Sequence, residues 1–263
     1  MNTAILLLIL SALPFLIASQ TYGEEGDMGV AFVGDINNTA AGDLVTKAVN
    51  GDKWDWSTNG DTPSHVIIVG DACYHSDYVN NTCIQLSKYQ AKFGDKLKVI
   101  CGNHDLSPYV QKICSKPFAF EVYDTLIIGL NTQRIANDEQ FNFVQRAIWN
   151  SSASQIVIVT HEPCIPSHSN KIPIGLYELC DKLRDLELPM EFVAAHHHVM
   201  MHVKDKGIDY YTVGSGGGEL QECNPKKATY DFCLSQYGYL LMGWEHFTFG
   251  GLEDDSLFVV KRK

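Results

Sequence analysis

The stretch HVIIVGDACY, His65 to Tyr74, decides how this chain folds. Its apolar residues, rich in Val and Ile, end abruptly at Gly70 and Asp71. A short apolar run that is closed by turn residues indicates a buried β-strand rather than a helix. The polar residues after the run then lie at the carboxyl end of a strand, which is where α/β sheets collect their binding sites.

The same pattern recurs along the chain. Apolar runs that end in polar or glycine-containing turns occur at 28–34, 65–70, 97–101, 125–131, 155–160 and 190–195. Helix-period segments separate several of them, at Asp138 to Trp149 and Ile174 to Leu186. Strands that alternate with helices indicate a layered α/β domain.

The last part of the chain adds more strands. Short apolar runs lie at 199–203, 209–213, 239–242, 246–249 and 256–260. They predict a second sheet rather than a purely doubly wound fold. The expected fold class is therefore α/β, a two-sheet sandwich flanked by helices in a single domain.

The N-terminus has the pattern expected of a targeting signal. An apolar run from Ala4 to Ala18 has the length of a signal-peptide core and is short for a membrane span. We therefore predict a signal peptide over residues 1–19, with an uncleaved anchor as the alternative, and one domain over 20–263. With 45% hydrophobic and 19% charged residues, that domain has an ordinary globular composition rather than a disordered one.

Cysteine content agrees with export. The eight cysteines form an even set behind a signal, which favours disulfides in a secreted or extracellular protein. Roughly a hundred pairings are open, and a local closure of Cys223 with Cys233 is one candidate. Sequons at Asn37, Asn80 and Asn150 are those expected of a glycoprotein.

The charge pattern argues against a nucleic-acid polymer as partner. Formal net charge is −11, and the basic residues are scattered except for the tail 261–263, which we interpret as a solvated end. A small nucleotide remains a candidate substrate. No membrane span is expected unless the N-terminal segment stays uncleaved.

Chemically active residues follow one strand after another. These residues are Asp35, Asp71 with Tyr74, the GNHD stretch 102–105, His161, and His196 with His198. Nearly all are metal ligands or proton donors, whereas turns alone would accept Ser, Asn or Pro equally well. If the run AHHH ends a strand, His196 and His198 share one face and His197 points away. The joint pattern predicts a metal site.

At this point the sequence resembles the calcineurin-like metallophosphoesterases, and within them the purple acid phosphatases. The resemblance rests on the blocks GDIN (34–37), GDACY (70–74), GNHD (102–105), VTHE (159–162) and AHHH (195–198). A glycine-rich stretch, TVGSGGGE (212–219), resembles a further turn that follows the last block in that family. Two positions depart from the family pattern, because Asn37 and Ala195 stand where it has glycine.

The resemblance implies two metal ions bridged by Asp71. The first ion would take Asp35, Tyr74 and His198, and the second Asn103, His161 and His196. A phenolate is a hard anionic donor suited to a ferric ion. We therefore expect Fe(III) beside Tyr74 and Fe(II), Zn or Mn in the other position.

The implied activity is hydrolysis of phosphomonoesters by attack of a metal-bound hydroxide on a small phosphorylated substrate. His104 would stabilise the transition state or protonate the leaving group, Asp105 would orient its imidazole, and His168 would contact the substrate. Loops 165–173 and 131–138 would set specificity. The alternatives are a phosphodiesterase or nucleotidase of the same superfamily, and a non-catalytic extracellular metal-binding domain.

Overall fold

The computed structural model describes residues 28–50, 63–74, 78–79, 82–133, 137–165, 174–223, 230–252 and 257–262. Four expectations lie outside the described residues, namely the signal peptide or anchor over 1–19, the substrate contact of His168, the specificity loop 165–173 beyond Ile165, and the sequon at Asn80, and the loop 131–138 is described only in part. Within the described part of the chain, no helix is both long and apolar enough to cross a membrane.

Strands supply most of the regular structure. They are β1 Met28–Val33, β2 Pro63–Val69, β3 Tyr78–Val79, β4 Thr82–Cys83, β5 Leu97–Ile100, β6 Phe118–Val122, β7 Thr125–Gly129, β8 Gln155–Val159, β9 Met190–Ala194, β10 Met200–Asp205, β11 Ile208–Val213, β12 Phe232–Leu234, β13 Gly238–Met242, β14 His246–Gly251 and β15 Leu257–Lys261. The helices are α1 Ala40–Val49, α2 Ile84–Phe93, α3 Pro108–Cys114, α4 Asn137–Trp149 and α5 Ile174–Arg184, and a short 3-10 helix spans Gly94–Lys96.

Two mixed sheets form the centre of the molecule. The first has the order β15-β14-β13-β1-β2-β5, and the second has the order β12-β10-β11-β9-β8-β7-β6. The neighbours β1, β2 and β5 are parallel, as are β7, β8, β9 and β11. The carboxyl ends of the parallel strands within a sheet therefore lie at one edge of it.

Side-chain alternation explains the layers. In β1, Val30 and Phe32 pack into the core between the two sheets, while Ala31 and Val33 pack against α1, α2 and α3. The opposite face of the second sheet packs against α4 and α5. Both faces of each sheet are covered, which is why the strands have nearly continuous apolar runs. The predicted two-sheet sandwich flanked by helices is confirmed.

The predicted elements match closely, and the sequence pattern missed others. The two predicted helices correspond to α4 and α5, although α5 ends at Arg184 rather than Leu186. The first three helices, β6 and β12 were not predicted individually. The prediction of a solvated tail is wrong for Arg262, which is 7% exposed, pairs with Glu191 at 2.8 Å, and lies over the ring of Phe247, whereas Lys261 is exposed as expected and Lys263 lies outside the described residues.

All eight cysteines pair in the structure. The disulfides are Cys73–Cys83, Cys101–Cys114, Cys164–Cys180 and Cys223–Cys233, so the local closure proposed for the last pair is confirmed. Four disulfides are typical of a protein that folds in an oxidising compartment. This agrees with the expected extracellular location.

A polar cluster lies on the second sheet. The imidazole of the buried His202 lies 3.0 Å from Asp209 Oδ1 and 3.0 Å from Asp231 Oδ2, and Lys204 Nζ donates to both oxygens of Asp209 at 2.7 Å. Burial acts to raise the pKa of Asp209, but the hydrogen bonds from His202 and Lys204 outweigh it and hold that pKa below its ordinary value. The cluster ties the start of β12 to β10 and β11.

Candidate metal centre

Loops at the strand ends carry all seven predicted metal ligands. Asp35 follows β1, Asp71 and Tyr74 follow β2, Asn103 follows β5, His161 follows β8, and His196 and His198 follow β9. These loops come from both sheets and meet at one end of the sandwich. The sequence therefore places the residues in order, and the topology brings them together.

Three of these residues adopt a backbone conformation that L-residues seldom use. Asp35, Asp71 and His196 have φ values of 55°, 48° and 65°. Residues held at positive φ cost about 1–3 kcal/mol each and cluster at functional sites. Here the conformation is held by neighbouring loops, since Asp35 N donates to Gly70 O at 3.1 Å and His196 N donates to Asp35 Oδ2 at 2.8 Å.

The first group of donor atoms forms a triangle. Asp35 Oδ1 lies 3.2 Å from the hydroxyl of Tyr74 and 3.1 Å from Nε2 of His198, and those two atoms are 3.1 Å apart. Nδ1 of His198 donates to Glu219 O at 2.6 Å. Because that bond fixes the proton on Nδ1, the unprotonated Nε2 faces Asp35 Oδ1 and the Tyr74 hydroxyl.

The second group of ligand atoms has a similar triangular arrangement. Asn103 Oδ1 lies 3.1 Å from His161 Nε2 and 2.9 Å from His196 Nδ1, and the two ring nitrogens are 3.3 Å apart. Nδ1 of His161 donates to Val69 O at 2.9 Å, which leaves the lone pair of Nε2 facing the group.

Asp71 connects the two groups. Its Oδ2 lies 3.5 Å from His161 Nε2, and its Oδ1 accepts a hydrogen bond from His104 N at 2.8 Å. One ligand atom from each of Asp35, Asp71 and His161 can be chosen so that all lie within 4.8 Å of one another. A single carboxylate between two donor groups is the arrangement that a bridging ligand requires.

The donor set fits cations. In each group, three oxygen and nitrogen atoms that can bind a cation lie within 3.3 Å of one another, and in the first group the Tyr74 hydroxyl donates to Asp35 Oδ1. Burial acts to lower the pKa of His161, but the Asp71 carboxylate beside it outweighs burial and raises that pKa above its ordinary value. Burial acts to raise the pKa of Asp71, and His161 holds it below its ordinary value instead. The site thus favours a positive charge, which metal ions would supply by displacing protons.

Sequence and structure comparisons give different results for this protein. Neither a scan against protein-family models nor a search of curated protein sequences finds a match. Among solved structures, GAP50, the anchor in the inner membrane complex of Plasmodium, superposes with a TM-score of 0.66 at 16% identity over 89% of this chain and 87% of its own. A dimetal phosphatase from Danio rerio superposes with a TM-score of 0.58 at 12% identity over 89% of this chain and 98% of its own.

A third structure, PhoD, superposes with a TM-score of 0.56 at 10% identity over 89% of this chain and 68% of its own. The order of the sheets and helices is thus shared over nearly the whole described chain. The chain has the calcineurin-like metallophosphoesterase fold.

Of the two departures from the metallophosphoesterase pattern, Ala195 has a structural explanation, whereas the contacts that Asn37 makes through its main chain do not explain its side chain. A Cβ at Gly34 would lie 2.2 Å from the Cβ of Ala195, so Ala195 fits because Gly34 has no side chain. Asn37 lies half-buried in the turn before α1, where its carbonyl accepts a hydrogen bond from Thr39 N at 2.9 Å. Thr39 then caps α1 and donates to Gly217 O at 3.1 Å, which connects this turn to the glycine-rich stretch.

The predicted catalytic residues next to the metal centre differ in position. His104 is exposed, and its ring centroid lies 4.8 Å from that of Tyr74. Asp105 is 2% exposed, and its carboxylate accepts hydrogen bonds from Cys73 N at 3.0 Å and Gly102 N at 2.8 Å. Asp105 thus joins the loops after β2 and β5, and its role in orienting the imidazole of His104 stays a prediction. Burial raises the pKa of Asp105 to about 7.

An open cleft of about 220 Å³ gives access to the metal centre. It is lined by Asp71, Asn103, His104, His196, His197, His198 and Gln221. The sequence pattern did not select His197 or Gln221. Glu162, directly after His161, lies nearby and accepts hydrogen bonds from Thr132, at 2.6 Å, and from Gln133, so it anchors the start of the predicted specificity loop 131–138.

Proposed function

We propose that this protein is a binuclear-metal hydrolase that cleaves phosphomonoesters. The observation that supports the proposal is the convergence of seven side chains that can bind a cation, in two groups joined by Asp71. Buried charged groups in proteins are paired or coordinate metals, and Asp35, Asp71 and His161 are buried together here.

Two bound cations would polarise a phosphoryl group and supply a nucleophilic water at neutral pH. The residues of the chain hold and orient the reactants. The N–H of His104 fixes Asp71 Oδ1, so that the carboxylate keeps one orientation between the two donor groups. The imidazole of His104 is exposed at the cleft and is the side chain placed to give a proton to the leaving group.

The donor set also bears on metal identity. Burial first, and then the carboxylates of Asp35 and Asp71, raise the pKa of Tyr74 above its ordinary value. A strongly charged cation is needed to displace that phenolic proton, and a phenolate is a hard ligand. We therefore assign Fe(III) to the position beside Tyr74 and Fe(II), Zn or Mn to the position of Asn103, His161 and His196.

The substrate is proposed to be a small phosphorylated molecule. The cleft of about 220 Å³ is open and polar, and the chain carries a formal net charge of −11. A polymeric nucleic acid would meet repulsion over the wider surface, whereas a small phosphate ester meets mainly the local field of the cations.

Turnover of a chromogenic phosphomonoester by metal-loaded protein tests the proposal. Steady hydrolysis is expected from the wild type. The Asp71→Asn variant is expected to lose one or both metals and, with them, its hydrolytic activity. A chromogenic phosphodiester run in parallel distinguishes the monoesterase from the phosphodiesterase alternative, and nucleoside monophosphates report on a nucleotidase. Faster diester than monoester hydrolysis would overturn the monoesterase assignment.

His104→Ala tests the proposed proton donor. We expect the variant to keep both metals and to lose about 10²- to 10⁴-fold in kcat, because the chain would no longer protonate the leaving group. Elemental analysis and steady-state kinetics measure the two effects separately. A variant that loses its metals would show that His104 supports the ligands instead.

A second candidate is a non-catalytic metal-binding domain in an extracellular location. The observation that favours it is the TM-score of 0.66 to a protein described as an anchor. The same assay decides between the two, because an anchor would bind cations without turnover of any ester in the panel.

A further inference from the structure

Gln221 occupies a distinctive position in the cleft. It lines the cavity together with Asn103, His104 and the histidines after β9, yet it belongs to neither group of donor atoms. A carboxamide at this place is polar and uncharged. It can therefore contact an anion without competing for the cations.

The backbone that carries Gln221 is fixed at several points. Gln221 N donates to His198 O at 3.1 Å, and the carbonyl of Glu219 accepts from His198 Nδ1 at 2.6 Å. Gly218 N donates to Asp35 O at 3.0 Å, and the disulfide of Cys223 ties the segment to β12. The position of Gln221 relative to the metal centre is thus set before any ligand arrives.

The orientation of the carboxamide is informative. Its Oε1 is buried, and among the described residues it has no hydrogen-bond partner. Since the side chain lines the cleft and its oxygen is buried, we take the NH₂ group as the end of the carboxamide that meets a ligand. An amide NH₂ provides two hydrogen-bond donors. A phosphoryl group provides only acceptors when it is fully ionised.

We propose that Gln221 is a substrate-positioning residue whose Nε2 donates a hydrogen bond to a non-bridging phosphoryl oxygen in the cleft. The inference rests on the proposed function of the same site. It assigns a contact to a segment without a recognised motif. The hydrogen bond should contribute equally to phosphate binding and to ester binding, because both present the same oxygens.

Binding of inorganic phosphate to the metal-loaded chain tests the contact independently of catalysis. We expect Gln221→Leu, which keeps most of the volume but has no donor, to weaken phosphate binding about 10- to 100-fold by calorimetry. KM for the chromogenic ester should rise by a similar factor, with a smaller change in kcat and with unchanged metal content. Gln221→Glu should bind phosphate more weakly still, because it adds a negative charge.

Gln145→Leu is the matched control, because Gln145 is exposed on α4 and the chemical change is identical. It should leave phosphate binding, metal content and kinetics as in the wild type. Wild-type phosphate affinity in Gln221→Leu, or loss of metals from it, would overturn the proposal. A wild type that binds phosphate without hydrolysing esters would refute the hydrolase alone, and one that binds no phosphate would refute both.

Discussion

Gly34 and Ala195 lie back to back where β1 and β9 end, and exchanging their side chains tests the packing beneath the metal centre. A Cβ at Gly34 would lie 2.2 Å from the Cβ of Ala195, while its next contacts, with Val213 O and Val69 O, would be 3.3 and 3.4 Å. Both Cβ atoms are fixed by the backbone, so no rotation of a side chain can relieve Gly34→Ala. The methyl group of Ala195 is therefore the main obstacle.

The expected magnitudes follow from this geometry. Non-bonded carbons prefer about 3.5–4.0 Å, so Gly34→Ala should force the two loops apart at a cost of about 1–3 kcal/mol. Ala195→Gly loses a buried methyl, about 0.8 kcal/mol, and gains unfolded-state flexibility, about 0.5–1 kcal/mol. The double variant moves one methyl across the contact and should lie within about 1 kcal/mol of the wild type. The coupling energy is then about 2–5 kcal/mol.

Urea unfolding of oxidised protein without added metal measures all four free energies of unfolding. Gly243→Ala is the control for a glycine replacement, because the nearest contact of its Cβ would be 3.5 Å away. If the costs of Gly34→Ala and Ala195→Gly simply add in the double variant, the two positions do not share one space and the explanation of the Ala195 departure is refuted.

Three further changes test the site and the fold. Gly102→Ala would place a Cβ 2.1 Å from Asp71 Oδ1 and should weaken binding of Zn²⁺ about 10- to 100-fold in a calorimetric titration, whereas unchanged affinity would mean that Asp71 is not a ligand. Tyr74→Phe keeps the ring but removes the phenol, so the visible band expected of the iron-loaded wild type should disappear; a band in both proteins would exclude tyrosinate as its source. The pKa of Asp209 is lowered from 3.8, so its stabilising contribution is present above that pH and is lost as pH falls through the folded-state pKa. Asp209→Asn should accordingly be less stable than the wild type near neutral pH and approach it in acid, as urea unfolding over a pH series would show, and a pH-independent difference would contradict the reasoning.

The strands around the metal centre could be predicted because their signal is local. Each combines a short Val- and Ile-rich run with a polar turn. Because both faces of these strands are buried, the run is continuously apolar and too short for a helix. The ligands were predictable for the same reason, since their order follows the order of strand ends. The 3.1 Å distance between Asp35 Oδ1 and His198 Nε2, however, results from the topology of the sheets and cannot be read from the spacing of the two residues in the sequence.

Other features depend on tertiary contacts that no local pattern encodes. α1 buries small residues, Val45, Ala48 and Val49, so its apolar stripe is weak in sequence. Arg262 looks like part of a solvated basic tail until the ion pair with Glu191 is seen. Gln221 gives no sequence signal, because hydrogen bonds and a disulfide from other segments place it in the cleft.

The disulfides have a consequence for how the protein must be produced. Cys73, Cys101, Cys164 and Cys223 each lie within a few residues of a side chain or carbonyl that shapes the metal centre, and each is bonded to a helix or strand behind it. The core between the sheets contains none of these bridges. Protein synthesised in a reducing cytoplasm would therefore retain its apolar core between the sheets but lack the disulfide bonds that hold its strand-end loops. Preparations from an oxidising secretory route are the ones in which cation content and turnover can be judged.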